Sequence, residues 1–177
     1  LDRLERKGRG WNLSLQTLDG ILSHDGEIDS GSLSPAPLAT FTDFDRRLQA
    51  KEKDPGLELV PATLEGCVVR LADTIAYIGR DIEDAIILGL ISRDDIPPSC
   101  RRSLGDTNGT IVYTLTTDLI TASTVPAAGA AAGDIVPAVG FSAEIALALH
   151  QLKAFNYERI YLAPQTRKDM PIIGDCY

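Results

Sequence analysis

The chain has no apolar run long enough to cross a membrane. Its longest apolar stretch, Val125 to Leu149, is broken by Pro126, Asp134, Pro137 and several glycines, whereas a spanning helix needs about 20 predominantly apolar residues in succession. No signal peptide is visible either. Cysteine is scarce: Cys67, Cys100 and Cys176 are unevenly spaced and show no metal-ligand pattern, so free thiols in a reducing, cytoplasmic setting are expected. A basic excess is missing too. Seventeen Lys and Arg stand against 25 Asp and Glu, a formal charge of -8. That balance argues against a surface built to grip nucleic acid, although a triphosphate can still bind where a few cations converge. Phosphate-loop glycines are absent: the Ala/Gly/Pro segment Thr124 to Gly140 has neither Gly-x-x-x-x-Gly-Lys-Ser/Thr nor Rossmann spacing. No internal repeat is evident. Histidine occurs twice, at His24 and His150, and methionine once, at Met170, in a chain that begins with Leu1.

What is present centres on Arg70 to Ala85. Asp73, Tyr77 and Asp81 fall at i, i+4 and i+8. On a helix turning about 100° per residue they lie within roughly 80° of one another, along about 12 Å of axis. Asp84 returns to within about 20° of Asp73. Val68, Leu71, Ala72, Ile75, Ile78, Ile82 and Ile86 project to the other side. The amphipathic pattern alone fits a plain solvated face. The residue choice fits something more, because aspartate forms helix poorly and three lie well inside this one. Such a row could hold a metal at one end and a sugar hydroxyl at the other. Spacing leaves both readings open.

The order of residues narrows them. Ala72-Asp73-x-x-Ala76-Tyr77-x-x-x-Asp81-x-x-Asp84-Ala85 resembles the last metal-binding helix of the HD superfamily, and more closely that of deoxynucleoside triphosphate triphosphohydrolases of the bacterial dGTPase type. Three further blocks are similar to the same family. Leu4-Glu-Arg-Lys-Gly-Arg-Gly-Trp-Asn12-Leu with Thr17-Leu-Asp-Gly-Ile-Leu-Ser-His-Asp-Gly-Glu27 resembles the stretch after its His-Asp motif. Pro61-Ala-Thr-Leu-Glu65-Gly-Cys-Val-Val-Arg70 resembles the lead-in to the Asp helix, and Leu152-Lys-Ala-Phe-Asn-Tyr-Glu-Arg159-Ile-Tyr161 a late helix. The resemblance implies an all-α, HD-domain-like helical bundle, incomplete at its N-terminus, with residues 1–177 forming part of one phosphohydrolase domain. It implies a divalent metal such as Mn²⁺ or Mg²⁺, held in part by Asp73. Tyr77 and Asp81 would meet the deoxyribose, with Asp81 accepting from the 3′-hydroxyl. Lys153 and Tyr157 would meet phosphate and sugar. Hydrolysis would release deoxynucleoside and inorganic triphosphate from a dNTP such as dGTP. The family's other metal ligands, a His and a His-Asp pair, are expected upstream of Leu1. The chain therefore reads as an internal fragment of a longer enzyme, inactive alone, and the parent as a homo-oligomer. Two rival functions are a nucleotide monophosphatase on the same scaffold and a helical nucleotide-binding module without catalysis.

The remaining elements read as mainly helical. Leu1 to Lys7 is expected to end a helix, stopped at Gly8-Arg-Gly10. Asn12 or Ser14 caps a short helix through Leu22. Residues 29–61 form a long loop or insertion with a helical piece around Phe44 to Lys51. The Asp helix spans 63–89. Pro97-Pro98 opens a helix to Leu104, Gly105 to Gly109 is a loop, and Thr110 to Ser123 a helix despite strand-like β-branched residues. A late helix covers 142–162. His24-Asp25 could offer metal ligands together with Asp73 and His150, but its place in the order favours a helix end and turn released by Gly26. His150 reads as a helix-packing residue. On the late helix, Lys153, Tyr157 and Tyr161 repeat every four residues, with Asn156 and Arg159 nearby. Cations and phenols so arranged suit triphosphate oxygens; equally, the cations could be solvated and the tyrosines close the core. Arg70 and Arg80 could bind phosphate or pair with the aspartates.

Overall fold

A computed structural model describes residues 5–26, 31–125 and 136–164. The chain is all-α, with two very short strands as its only sheet among the described residues. It divides into two compact units: described residues of 1–73 and 124–139 form the first, and those of 74–123 and 140–177 the second.

In the first unit, α1 spans Glu5–Gly8, and the Leu1 to Leu4 part of the expected helix lies outside the described residues. Arg6 and Lys7 have left-handed backbones, with φ of 50° and 59°, a conformation that L residues extend into helix only at a cost. α2 (Leu15–Leu22) begins where Ser14 accepts from the Thr17 N–H at 3.2 Å. Its Leu15 and Leu18 pack with Phe44, surrounded by Leu13, Leu22, Leu38 and Leu48. Phe44 comes from α3 (Phe41–Lys53), which opens on a full capping box between Thr40 and Asp43. The Thr40 hydroxyl holds the Asp43 carboxyl below its usual range, helped by the Thr40 N–H and Arg46. β1 (Ser32–Leu33) pairs with β2 (Val139–Gly140).

A buried carboxylate fastens this unit. Asp19, on α2, is 1% exposed. It accepts from the Ala62 N–H at 2.6 Å and from Arg47 at 3.1 Å. Arg47 also donates to the carbonyls of Val60 and Ala36, so one ion pair ties α3 to two loop segments. Arg70 is likewise buried, donating to the Leu59 carbonyl at 2.6 Å and standing 3.9 Å from Glu58.

α4 (Leu64–Ile87) gives residues 64–73 to the first unit and 74–87 to the second. Cys67 and Leu71 are fully buried in the first, and Ile75, Ile78, Ile82 and Ala85 are buried in the second. Two members of the expected apolar face fail: Val68 and Ala72 are exposed.

In the second unit a 3-10 turn (Arg93–Asp95) leads to α5 (Pro98–Leu104), with proline at its first position. α6 (Asn108–Ala122) starts two residues earlier than expected because Thr107 and Thr110 cap it reciprocally. Its β-branched residues stay helical because Ile111, Leu115 and Leu119 are buried along one stripe. α7 (Ala143–Asn156) packs on α5, where the Cys100 thiol lies 3.6 Å from the Ala148 carbonyl. The late helix stops being α-helical at Asn156; Tyr157–Tyr161 form a π-helical turn. His150 is exposed rather than packed, because the buried stripe of α7 runs through Ile145, Ala148, Leu149, Leu152 and Phe155. Cys67 and Cys100 are free, and burial pushes both thiols up; Cys176 lies outside the described residues. Among the described residues no helix is long and apolar enough to cross a membrane.

Candidate functional site

The residues of the aspartate row meet different surroundings. Asp73 closes the first unit's share of α4. It is half-buried, and its carboxylate has no hydrogen-bond or ion-pair partner among the described residues. Tyr77 and Asp81 lie in the second unit. Tyr77 is 60% exposed. Asp81 is half-buried and accepts a hydrogen bond from the Tyr161 hydroxyl. Asp84 is exposed and pairs with Arg80 at 3.5 Å, which makes that end of the row a solvated surface. Arg80 thus partners an aspartate, whereas Arg70 is committed to Leu59 and Glu58.

On the late helix, Lys153 is half-buried and Tyr157 is 58% exposed. Arg159 stands 3.8 Å from Asp95 and lies over the Phe155 ring. The structure therefore brings Asp81 into contact with Tyr161, the third member of the series, rather than with Lys153 or Tyr157. Tyr161 reaches it from the π-turn, in which the Leu162 N–H donates to the Tyr157 carbonyl at 3.0 Å.

Two groups, buried Asn156 and half-buried Glu83, brace this part of α4. Asn156 is 1% exposed and donates through Nδ2 to the Ile78 carbonyl at 3.1 Å. Glu83 takes both terminal nitrogens of Arg93, at 3.1 and 2.7 Å, and the Asn108 N–H at 3.0 Å. The Arg93 hydrogen bonds, then that of Asn108, hold the Glu83 carboxyl below its usual range; Glu83 in turn raises Arg93. α6 can start this close to α4 because residue 79 is glycine: a Cβ there would lie 2.7 Å from Asn108 Oδ1 and 3.1 Å from its Cα.

The fit to a divalent metal is partial. An unpartnered, half-buried carboxylate such as Asp73 can give a hard cation one oxygen ligand. Among the described residues, however, no three of His, Cys, Asp and Glu gather as a metal would need. His24-Asp25 behaves as a helix end: Ser23 caps α2, His24 Nδ1 lies 2.8 Å from the Ile21 carbonyl, and Gly26 has a φ of +120°. His24 also helps line a largely apolar cleft of about 690 Å³ within the first unit, together with Gly20, Ile21, Gly66 and Val69.

Sequence reading missed the braces. Asn156 carried a usable signal, since it falls on the buried stripe at i+4 from Leu152 and i+7 from Leu149. Asp19 carried a similar one, directly after Leu18 on the buried side of α2. The Glu83–Arg93 pair carried none, because its members belong to separate elements.

Comparison with known proteins adds sequence relatives only. Over 164 residues, 93% of this chain, it is 32% identical to a deoxyguanosinetriphosphate triphosphohydrolase-like protein of Desulfatibacillum aliphaticivorans, covering 39% of that protein. Proteins of the same description from Caldanaerobacter subterraneus subsp. tengcongensis and Clostridium tetani are each 31% identical, over 94% and 91% of this chain and 37% and 38% of their own lengths. The chain thus spans less than two fifths of these relatives. No family model matches it, and no solved structure does.

Proposed function

The chain belongs with the deoxyguanosinetriphosphate triphosphohydrolase-like proteins over nine tenths of its length, and we propose that the full-length protein containing it is an HD-type, metal-dependent hydrolase of deoxynucleoside triphosphates. Its products are the deoxynucleoside and inorganic triphosphate. The observation that carries this reading is the Asp73 carboxylate, half-buried and unpartnered among the described residues within the block that resembles the family's metal helix.

Asp73 supplies one metal ligand, and the remaining ligands come from residues other than those described. When bound, a divalent ion such as Mn²⁺ or Mg²⁺ supplies Lewis acidity at the α-phosphate and a more acidic water. Asp81, an acceptor-only carboxylate when ionised, receives the substrate 3′-hydroxyl. The exposed phenol of Tyr77 lies one helical turn away on the same unit and meets the sugar. Lys153 and Tyr157, on α7 and at its end, serve triphosphate oxygens and sugar. A pocket that satisfies the 3′-hydroxyl leaves its own polar groups unpaired when that hydroxyl is missing, which is a route to selectivity. The chain alone is inactive on this account, the parent is a cytoplasmic homo-oligomer, and the substrate's charge is met locally in spite of the -8 net charge.

The test is Asp73→Ala in the full-length protein. Metal-dependent turnover of dNTPs is expected to be abolished, with the thermal midpoint close to that of the unmodified protein. Full retained activity would remove Asp73 from the metal site.

A further inference from the structure

We propose that Tyr161 is a positioning residue that sets selectivity for the substrate 3′-hydroxyl by orienting Asp81. The proposal rests on the reading of Asp81 given above and assigns a role to a residue that reading does not use. Tyr161 donates its phenolic hydrogen to Asp81 Oδ2. An ionised carboxylate offers about four lone-pair sites. One donor on Oδ2 fixes the rotation of the group and leaves Oδ1 to accept from a ligand. Asp81 is half-buried and Tyr161 is 42% exposed, so the pair lies where a ligand can reach it.

The backbone around Tyr161 is built for this placement. Had α7 continued as an α-helix, Lys153, Tyr157 and Tyr161 would follow a line drifting only about 40° per step. Instead the chain widens into a π-turn at Tyr157–Tyr161, a feature that is uncommon and gathers at functional sites. The turn is pinned at both ends. Asn156, immediately before it, is buried and bound to the Ile78 carbonyl of α4. Ile160, within it, is buried. Ile78 lies three residues before Asp81, so the same stretch of α4 receives both ties from the late helix. The neighbouring groups are engaged otherwise or face out: Arg159 is near Asp95, and Tyr157 is exposed. The π-turn carries the Tyr161 phenol to Asp81 while Ile160 is buried within it.

The experiment uses the full-length protein with a 2′-deoxynucleoside triphosphate and the matching 2′,3′-dideoxynucleoside triphosphate. The ratio of their kcat/KM values is measured for the unmodified protein, Tyr161→Phe and Asp81→Asn. Tyr161→Phe keeps the ring and removes one hydroxyl. It is expected to lower the ratio about tenfold, the low end of the range for loss of one hydrogen bond to a charged group, with the change mainly in KM for the deoxy substrate. Asp81→Asn is expected to lower the ratio further. An unaltered ratio in Tyr161→Phe with a lowered one in Asp81→Asn overturns the role of Tyr161 and leaves the Asp81 reading standing. An unaltered ratio in both, or no turnover by the unmodified protein, overturns the two together.

Discussion

Asp73 and Asp84 sit on nearly the same line of α4, yet one carboxylate is unpartnered and half-buried while the other is spent on Arg80 at the surface. Helical spacing placed them together; only packing separates them. The residue-level expectations follow from surroundings rather than type. Arg80→Ala removes an exposed i,i+4 pair and should change stability by less than about 0.5 kcal/mol in urea titration. Asp19→Ala should cost about 3 kcal/mol in the same assay, because it leaves the Ala62 N–H and Arg47 without their buried acceptor. A loss under about 1 kcal/mol would mean that water replaces the carboxylate. Tyr77→Phe should reduce kcat/KM for a dNTP in the full-length protein about fivefold, and an unaltered value would assign Tyr77 to the surface alone. Glu83 gives a pH-dependent case. Its folded pKa lies below the ordinary value of 4.5, so its contribution is complete above that value and disappears as pH falls through the depressed one. Glu83→Gln should therefore lower stability by about 1 kcal/mol at pH 7, with the difference from the unmodified protein closing as the pH falls below the ordinary carboxylate range.

At the scale of elements, helices with local signals were legible and their junctions were not. Ser14 and Pro98 mark starts that the chain reads out directly, whereas α3, capped by Thr40, begins at Phe41, ahead of the Phe44 expected. Thr107 was hidden because its partner is another threonine rather than the Glu or Gln of the usual box. The π-turn after Asn156 had no local signature: it depends on a tie from Asn156 to the Ile78 carbonyl, 78 residues back. Val68 and Ala72 were misplaced because an apolar stripe drawn at a uniform 100° per residue assumes one buried side along all of α4, while the buried positions shift between its two portions. Gly79 shows how an element boundary depends on a missing side chain. Gly79→Ala would gain helix propensity of roughly 1 kcal/mol, but its methyl would meet Asn108 Oδ1 at 2.7 Å and backbone at 3.1 Å. The net expectation is a loss of about 1–2 kcal/mol by chemical denaturation; a stabilised variant would show that the start of α6 yields freely.

For the whole molecule, composition and resemblance pointed the same way. The acidic balance argued against a nucleic-acid grip, which nothing in the structure tests, and the blocks around Asp73 and Lys153 pointed to the group whose members prove similar over nine tenths of the chain. The candidate site was legible as residue types and spacing. Its Tyr161–Asp81 contact was not, because it joins residues 80 positions apart. The central claim concerns chemistry: cleavage at the α-phosphate, with triphosphate leaving intact. The most direct test incubates the full-length protein with dGTP and the other dNTPs, with Mn²⁺ or Mg²⁺, and separates products by ion-exchange chromatography. Equal amounts of deoxynucleoside and inorganic triphosphate are predicted. Orthophosphate or diphosphate as the product, or no turnover with either metal, would contradict the claim.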